Sequence, residues 1–212
     1  MSQPPTDPTH KVIDLLNQAL QKGQDIKILF FSDEYLCSSD RYLAILGSTK
    51  RYLSQNVTIS HILGSTDKQI KVIALNESAP IRKRTKKIGR PVDELLWQLA
   101  FKLSAGRLIN GCRKEDIVYL AQWPNFTRVA RTPNALKIAA LLSARPIHLD
   151  IAARLLAVPV EEIYQFYSAA NMAGYTTRLS KAESPQQTEI QRPADNETAG
   201  VMKRLMDRLT NS

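Results

Sequence analysis

The sequence LDIAARLLAVPVEEIYQF, from Leu149 to Phe166, has the residue spacing of a helix-turn-helix. Ala153 is small enough to let two helices touch, and Ala157 follows four residues later and opens a tight turn through Pro159. The apolar period then resumes in a second helix, at Val160, Ile163 and Phe166. In proteins that contain this unit, the second helix is normally presented to DNA.

The second helix of this unit lacks the charge that DNA binding requires. We expect its outward positions to be Glu161, Glu162 and Gln165, and no Arg or Lys occurs from Val160 to Tyr175. Affinity for duplex DNA depends on cations that neutralise phosphates. The sequence therefore predicts a helix-turn-helix whose second helix does not bind DNA. A helical hairpin in an unrelated bundle is the alternative, since acids in a first turn also stabilise the helix dipole.

The flanking sequence extends the unit to a domain over residues 91–180. Pro91 suits the first position of a helix, and Ala135 to Ser143 predicts another helix ahead of the helix-turn-helix. Ile117 to Ala121 predicts a short strand or helix, and Tyr175 to Leu179 predicts the start of a β wing. We expect an all-α, winged-helix-like domain.

Residues 1–9 are polar and rich in Pro and predict a disordered leader, whereas residues 10–76 predict a small α/β domain. Three segments carry strand patterns, and the last two are expected to pair antiparallel. The predicted elements are a helix from His10 to Lys22, strands over Ile26–Phe31, Val57–Leu63 and Ile70–Leu75, and a helix carrying Tyr42, Leu43, Leu46 and Leu53. The whole chain is therefore expected to be α+β and mostly helical.

The net charge of +9 is concentrated in a basic connector over residues 77–90. Without its six cations, 23 basic residues face 20 acidic ones. Uneven basicity of this kind is typical either of a solvated connector or of a weak site for nucleic acid or another polyanion. The candidate polyanion contacts are Arg82, Lys83, Arg84, Lys86, Lys87 and Arg90, with Arg178 from the wing; Arg128 and Arg131 are further phosphate candidates.

Within the connector, Ile88-Gly89-Arg90-Pro91 resembles the AT-hook, a peptide of the DNA minor groove with the core Arg-Gly-Arg-Pro. Ile88 replaces the first of the two arginines that flank Gly in that family. The resemblance therefore implies at most a weakened hook.

The N-terminal half is faintly similar to a bacterial receiver domain. Ile26 to Phe31 followed by Asp33 and Glu34 resembles its first strand and acidic pair, which hold magnesium. Asn76 stands where the third strand would end in a phosphorylatable Asp. The resemblance implies a degenerate, truncated relative without phosphoryl transfer.

The sequence contains no recognisable catalytic or metal-binding constellation. His10, His61 and His148 are isolated, and Cys37 and Cys112 have neither metal nor redox spacing. We expect a protein that is not an enzyme and needs no cofactor. No apolar run approaches the roughly 20 residues that span a bilayer, and MSQPPTDPTH is no signal peptide, which predicts a cytoplasmic protein.

Residues 181–198 are polar, contain no aromatic residue and predict a flexible linker. Residues 199–212 predict an amphipathic helix, too short to be stable by propensity alone. It is expected to dock on its own domain, pair with another copy or enter a partner's groove. Its candidate partner-binding residues are Val201, Met202, Leu205, Met206 and Leu209.

Between Leu95 and Gly174 the chain resembles a group of poorly characterised bacterial regulatory proteins. The resemblance rests on Trp97, SAGR at 104–107, WPNF at 123–126 and FYSAANMAG at 166–174. It implies a regulatory or adaptor role through protein–protein contacts or homo-oligomer formation. A transcriptional regulator that contacts DNA through the basic connector and wing is the alternative.

Overall fold

The structure is a computed structural model that describes residues 8–31, 41–66 and 69–179. Among these residues, seven helices and eight strands build a mixed α+β fold. In chain order they are α1 (Pro8–Gln21), β1 (Asp25–Phe30), β2 (Tyr42–Leu46), β3 (Arg51–Gln55), α2 (Ile59–Gly64), β4 (Ile70–Ala74), α3 (Pro80–Ile88), β5 (Arg90–Pro91), α4 (Val92–Ser104), β6 (Ile117–Leu120), α5 (Ala135–Ala144), β7 (Ile147–His148), α6 (Leu149–Leu156), α7 (Val160–Met172) and β8 (Thr176–Leu179).

The first five strands form one sheet in the order β4-β1-β2-β3-β5, with every neighbouring pair antiparallel. Alternate residues of β1 are buried, as expected for a strand with one covered face. The amphipathic helix α1 contributes Val12, Leu16 and Ala19 to the same core as β1. This core is completed by four side chains of α4, Val92, Leu95, Leu96 and Leu99.

The remaining elements surround a second core and a second antiparallel sheet, in the order β7-β6-β8. Trp97 of α4 is fully buried here, and its ring meets Phe166 of α7 edge-on at 5.4 Å. The helix α4 thus serves both cores, because its residues alternate between them along the helix. Met172 of α7 also packs against both cores. The described residues consequently form one compact unit.

The helix expected around Tyr42 and Leu53 is wrong, because these residues lie in the hairpin of β2 and β3. All five residues of β2 are buried, so the strand is covered on both faces and shows no alternation. A continuous apolar run of this kind has no period that separates a strand from a helix. Lys50, with a left-handed φ of 51°, closes the turn between the two strands.

The strand expected over Val57–Leu63 is also wrong, because this segment contains α2. The Thr58 hydroxyl accepts a hydrogen bond from the His61 backbone N–H, and His61 Nδ1 accepts one from the Thr58 N–H. This reciprocal capping box starts the helix. The expected strand at Ile70 is confirmed as β4, but it pairs with β1.

The expectation of an all-α second domain is wrong, because β6, β7 and β8 form a sheet there. The mixed α+β class is confirmed, as are the helices α1, α5, α6 and α7 and the strand β1. The stretch expected as a connector contains the helix α3. No helix in the described ranges has the length and apolar character needed to cross a membrane.

Candidate functional site

The helix-turn-helix spacing corresponds to the helices α6 and α7. Ala157 lies between them with a left-handed φ of 52°, and its N–H donates to the carbonyls of Ala153 and Arg154. The Val158 N–H donates to the same Ala153 carbonyl at 3.1 Å. These bonds end α6 and turn the chain into α7, as the sequence predicts.

The second helix of the unit is largely covered. Within α7, all of which the structure describes, Glu161 is the one exposed residue. The most extensive packing of α7 is against α4. Gln165 Nε2 donates to the Phe101 carbonyl of α4 at 2.9 Å, and Tyr167 is fully buried on another side. Most of α7 is therefore packed against other parts of the fold.

Of the three positions of α7 expected to face outward, Glu161 is exposed, whereas Glu162 and Gln165 are partly exposed and hydrogen-bonded to neighbouring helices. The Glu162 carboxylate accepts hydrogen bonds from the Asn134 backbone N–H at 3.3 Å and from Asn134 Nδ2 at 3.2 Å. It thereby holds the N-terminal end of α5, while Gln165 binds α4. Both side chains are therefore engaged by neighbouring helices.

The exposed side of the module lies on α5 and α6. Leu136 on α5 is 53% exposed, and Ile151 and Leu155 on α6 are 42% and 56% exposed. Ile151 and Leu155 are one turn apart and share a face of α6. We call Leu136, Ile151 and Leu155 the α5–α6 apolar surface. Sequence reasoning missed it, although the pattern of α6 signals it, with apolar residues on both of its faces.

Contacts place the two helices of this surface side by side. α5 packs against α6, and the bond from Asn134 to Glu162 brings the start of α5 to the start of α7. Because Ala157 to Pro159 alone separate α6 from α7, the C-terminal end of α6 lies at the same place. Leu136 and Leu155 therefore lie at one end of the helix pair.

Cations border the α5–α6 apolar surface. Lys137 follows Leu136, and Arg154 precedes Leu155; both are exposed, as is Arg145 after α5. Asp150 is the exposed acid of α6, and its carboxylate accepts a hydrogen bond from the Tyr164 hydroxyl at 3.2 Å. We call Lys137, Arg145 and Arg154 the basic border; the acids that lie near it are Asp150 and, in the first turn of α7, Glu161 and Glu162.

The basic residues predicted as polyanion contacts divide into two groups. Five of them lie on α3, where Lys83, Arg84, Lys86 and Lys87 are exposed. The four arginines of the set, two on α3 and two elsewhere, make contacts within the fold. Arg82 Nε lies 2.6 Å from the Asp25 carboxylate, Arg84 bonds Gln55, Arg90 lies 2.6 Å from the Glu94 carboxylate, and Arg178 donates to the Gly111 carbonyl at 2.9 Å. Arg128 also binds Glu94, and Arg131 is exposed.

The segment that resembles the AT-hook is built into the first sheet. Arg90 and Pro91 form β5 and pair with Tyr52 and Arg51 of β3. Gly89 is buried, and a Cβ there would lie 2.3 Å from the Thr85 carbonyl oxygen. The Arg51 guanidinium donates to the Gly89 carbonyl at 2.6 Å. The backbone of this segment is therefore not available to line a minor groove.

Burial and neighbouring carboxylates raise the pKa values of two tyrosines in the second core. Burial raises the pKa of Tyr167, and its hydrogen bond to Asp116, at 2.6 Å, raises it further. Burial and a bond to Asp93 do the same for the pKa of Tyr175. Both phenols thus remain protonated donors at neutral pH. Burial also raises the pKa of the Cys112 thiol, which disfavours a reactive thiolate.

A cavity with a volume of about 570 Å³ lies where α1, α4 and the end of α7 meet. Leu20, Leu96 and Met172 line it, together with the polar side chains of Lys50 and Asp93. Asp93 is already bound by Tyr175. Among the described residues, no group of three or more His, Cys, Asp and Glu side chains is arranged to hold a metal ion.

No family model, curated protein or solved structure matches this chain. The candidate partner-binding residues Val201, Met202, Leu205, Met206 and Leu209 lie outside the described residues, as does Cys37. The site is therefore defined by its own geometry, which is a packed α7 and an exposed α5–α6 apolar surface with a basic border.

Proposed function

We propose that this chain is a non-enzymatic regulatory or adaptor protein that acts by binding another protein. We interpret α5, α6 and α7 with the second sheet as a winged-helix-like module whose α5–α6 apolar surface is the docking site. One observation carries the proposal: three large apolar side chains are exposed on two adjacent helices while α7 is covered. Exposed apolar residues that adjoin on a surface are typical of protein-binding sites.

The basic border of the surface selects the chemistry of the partner. An amphipathic helix would lay apolar residues against Leu136, Ile151 and Leu155, and acidic residues beside them would meet Lys137 and Arg154. The chain's own segment 199–212 carries Lys203, Arg204 and Arg208 against Asp207, so its charge does not complement this border. In the proposal this segment is a second, separate device that recruits a partner or completes an oligomer.

Site-specific photo-cross-linking in cells of the native host tests the docking site. A photoreactive amino acid at Leu155 is expected to capture a partner peptide that is both apolar and acidic, as mapped by mass spectrometry. The same group at Ser54, an exposed position on β3, should not capture it. Equal capture at both positions, or a peptide from the chain's own basic segment at Leu155, would contradict the proposal.

Substitutions separate the apolar contribution from the charged one. With the photoreactive group at Ile151, Leu155→Ser and Arg154→Glu should each abolish capture, whereas Leu155→Met should retain it. All three positions are exposed, so melting temperatures should barely change. Deletion of 199–212 should leave this capture intact but remove co-purification with the partner of that segment.

A polyanion-binding protein is the second candidate, favoured by the exposed cations of α3. Lys83, Lys86 and Lys87 are spaced so that they share one side of the helix. A mobility-shift assay with duplex DNA over a series of salt concentrations should show weak, sequence-independent binding that K83E/K86E/K87E removes. Nanomolar, sequence-dependent binding at physiological salt would favour DNA binding over protein binding as the function of this chain.

A further inference from the structure

The strand β4 lies at an edge of the first sheet, and among the described strands it pairs with β1 alone. From Lys71 to Ala74 its residues are exposed, with Val72 and Ile73 at 41% and 39%. Val72 and Ile73 project to opposite faces of the sheet, so each face of this edge exposes a large apolar side chain. Edge strands of this kind normally carry charges or bulges that prevent pairing, whereas β4 has Lys71 as its one charge.

The hydrogen bonds of β4 alternate in a way that fixes which backbone groups point outward. The Phe31 N–H donates to the Gln69 carbonyl, and the Leu75 N–H donates to the Asp25 carbonyl, each at 2.8 Å. Antiparallel pairs alternate along a strand, so Lys71 and Ile73 also direct their backbone groups to β1. The N–H and C=O groups of Ile70, Val72 and Ala74 therefore point away from the sheet.

We infer that two copies of this chain associate through antiparallel pairing of their β4 strands, centred on Val72. In this register Val72 faces Val72 of the second copy, and Ile70 faces Ala74 of the second copy. Each residue with outward backbone groups then meets a residue of the same kind, which is the condition for a hydrogen-bonded pair. The result is one continuous sheet across a two-fold axis.

The register centred on Val72 is more favourable for β4 than either neighbouring register. With Val72 at the centre, Lys71 faces Ile73 of the second copy, so the two ammonium groups are not opposed. A centre on Lys71 would place the two lysines directly opposite each other, which is destabilising. A centre on Ile73 would leave the outward groups of Ile70 without a partner. The strand is thus self-complementary, which favours a second copy over an unrelated strand.

Opposite charges at position 72 test both the partner and the register. Sedimentation of the full chain should show a dimer that dissociates on dilution. Val72→Lys and Val72→Glu should each weaken this dimer at least about tenfold, because each places like charges face to face on the axis. An equimolar mixture of the two variants should dimerise again, and Val72→Thr, of nearly equal size, should stay close to the wild type.

Three outcomes would overturn the inference. They are a wild-type chain that stays monomeric at its highest soluble concentration, a dimer that both charged variants leave intact, and a mixture that does not reassociate. Hydrogen exchange of the wild-type chain provides a readout independent of the variants. The amides of Ile70, Val72 and Ala74 should gain protection as concentration rises, whereas those of Lys71 and Ile73 should be protected at all concentrations. Protection that does not depend on concentration would contradict the dimer.

Discussion

Asp25 shows how one side chain joins three elements of the first sheet. It begins β1, and its carboxylate accepts a hydrogen bond from Arg82 Nε of α3 at 2.6 Å. The Ser48 hydroxyl, in the turn between β2 and β3, donates to the same carboxylate at 2.9 Å. Burial raises the pKa of Asp25, but the hydrogen bonds from Arg82 and Ser48 outweigh it, so the net pKa lies below the usual value.

This shift predicts an acid-sensitive contribution to stability. Because the pKa of Asp25 is lower in the folded state, its contribution is complete above the unfolded-state pKa of about 3.9 and is lost as pH falls through the folded-state pKa. Asp25→Asn should lower the free energy of unfolding at pH 7 by about 1.5–3 kcal/mol, the range for hydrogen bonds to charged groups. Urea unfolding between neutral and acidic pH measures this.

The matched control is Asp14→Asn, at an exposed position of α1. It should change the free energy of unfolding by less than about 0.5 kcal/mol. For Asp25→Asn, the deficit relative to the wild type should shrink as pH falls below about 4. A deficit of the same size at every pH would show that packing of the carboxamide, not charge, causes the loss.

The turn of the helix-turn-helix supplies a prediction for a whole element. Ala157 ends α6 in the left-handed region at φ 52°, where glycine is favoured because it has no Cβ. Ala157→Gly should therefore stabilise the protein, by about 0.5–1 kcal/mol. Its control is Ala140→Gly at an exposed position inside α5, which should destabilise by a similar amount.

Thermal or urea unfolding of both variants measures the two effects. The same chemical change has opposite signs because the backbone conformation differs at the two positions. Equal destabilisation by both substitutions would mean that the α6 end does not adopt the left-handed conformation in solution.

Elements with local signals could be predicted from the sequence, and elements defined by distant neighbours could not. The apolar period identified α6 and α7, and the turn at Ala157 separated them. By contrast, all five residues of β2 are buried, with α1 and α3 both packed against it, which leaves no alternation to detect. The capping box of α2 uses His61 in place of the usual Glu or Gln and so escaped recognition.

Dependence on residues that are distant in sequence also limits what could be predicted of the candidate site. Glu161 was expected outward and is, but Gln165 is held by the Phe101 carbonyl, 64 residues away in sequence. Burial of α7 by α4 follows from tertiary packing, and the exposure of Leu155 becomes meaningful only once α7 is known to be covered. Local pattern located α6, α7 and the turn between them, and long-range packing decided which of their faces are open.

At the scale of the whole molecule, the sharing of α4 predicts one cooperative unit. Both tryptophans, Trp97 and Trp123, lie after residue 91, whereas Leu43 of β2 is fully buried in the first core. Leu43→Ala should cost about 2–5 kcal/mol because it leaves a cavity in that core. Since α4 contributes Leu99 to the first core and Trp97 to the second, loss of the first core should also unfold the second.

The measurement is urea unfolding of the Leu43→Ala variant, followed by tryptophan fluorescence and by far-ultraviolet circular dichroism. Both signals should shift to the same lower midpoint, as coincident transitions require for a two-state unit. Ile138→Ala, which truncates a fully buried residue of the second core, should shift both signals in the same way. Independent domains divided near residue 90 would behave differently, because Leu43→Ala would then leave the fluorescence midpoint at its wild-type value. The shared helix makes the coincident shift the expected result, since neither core is complete without α4.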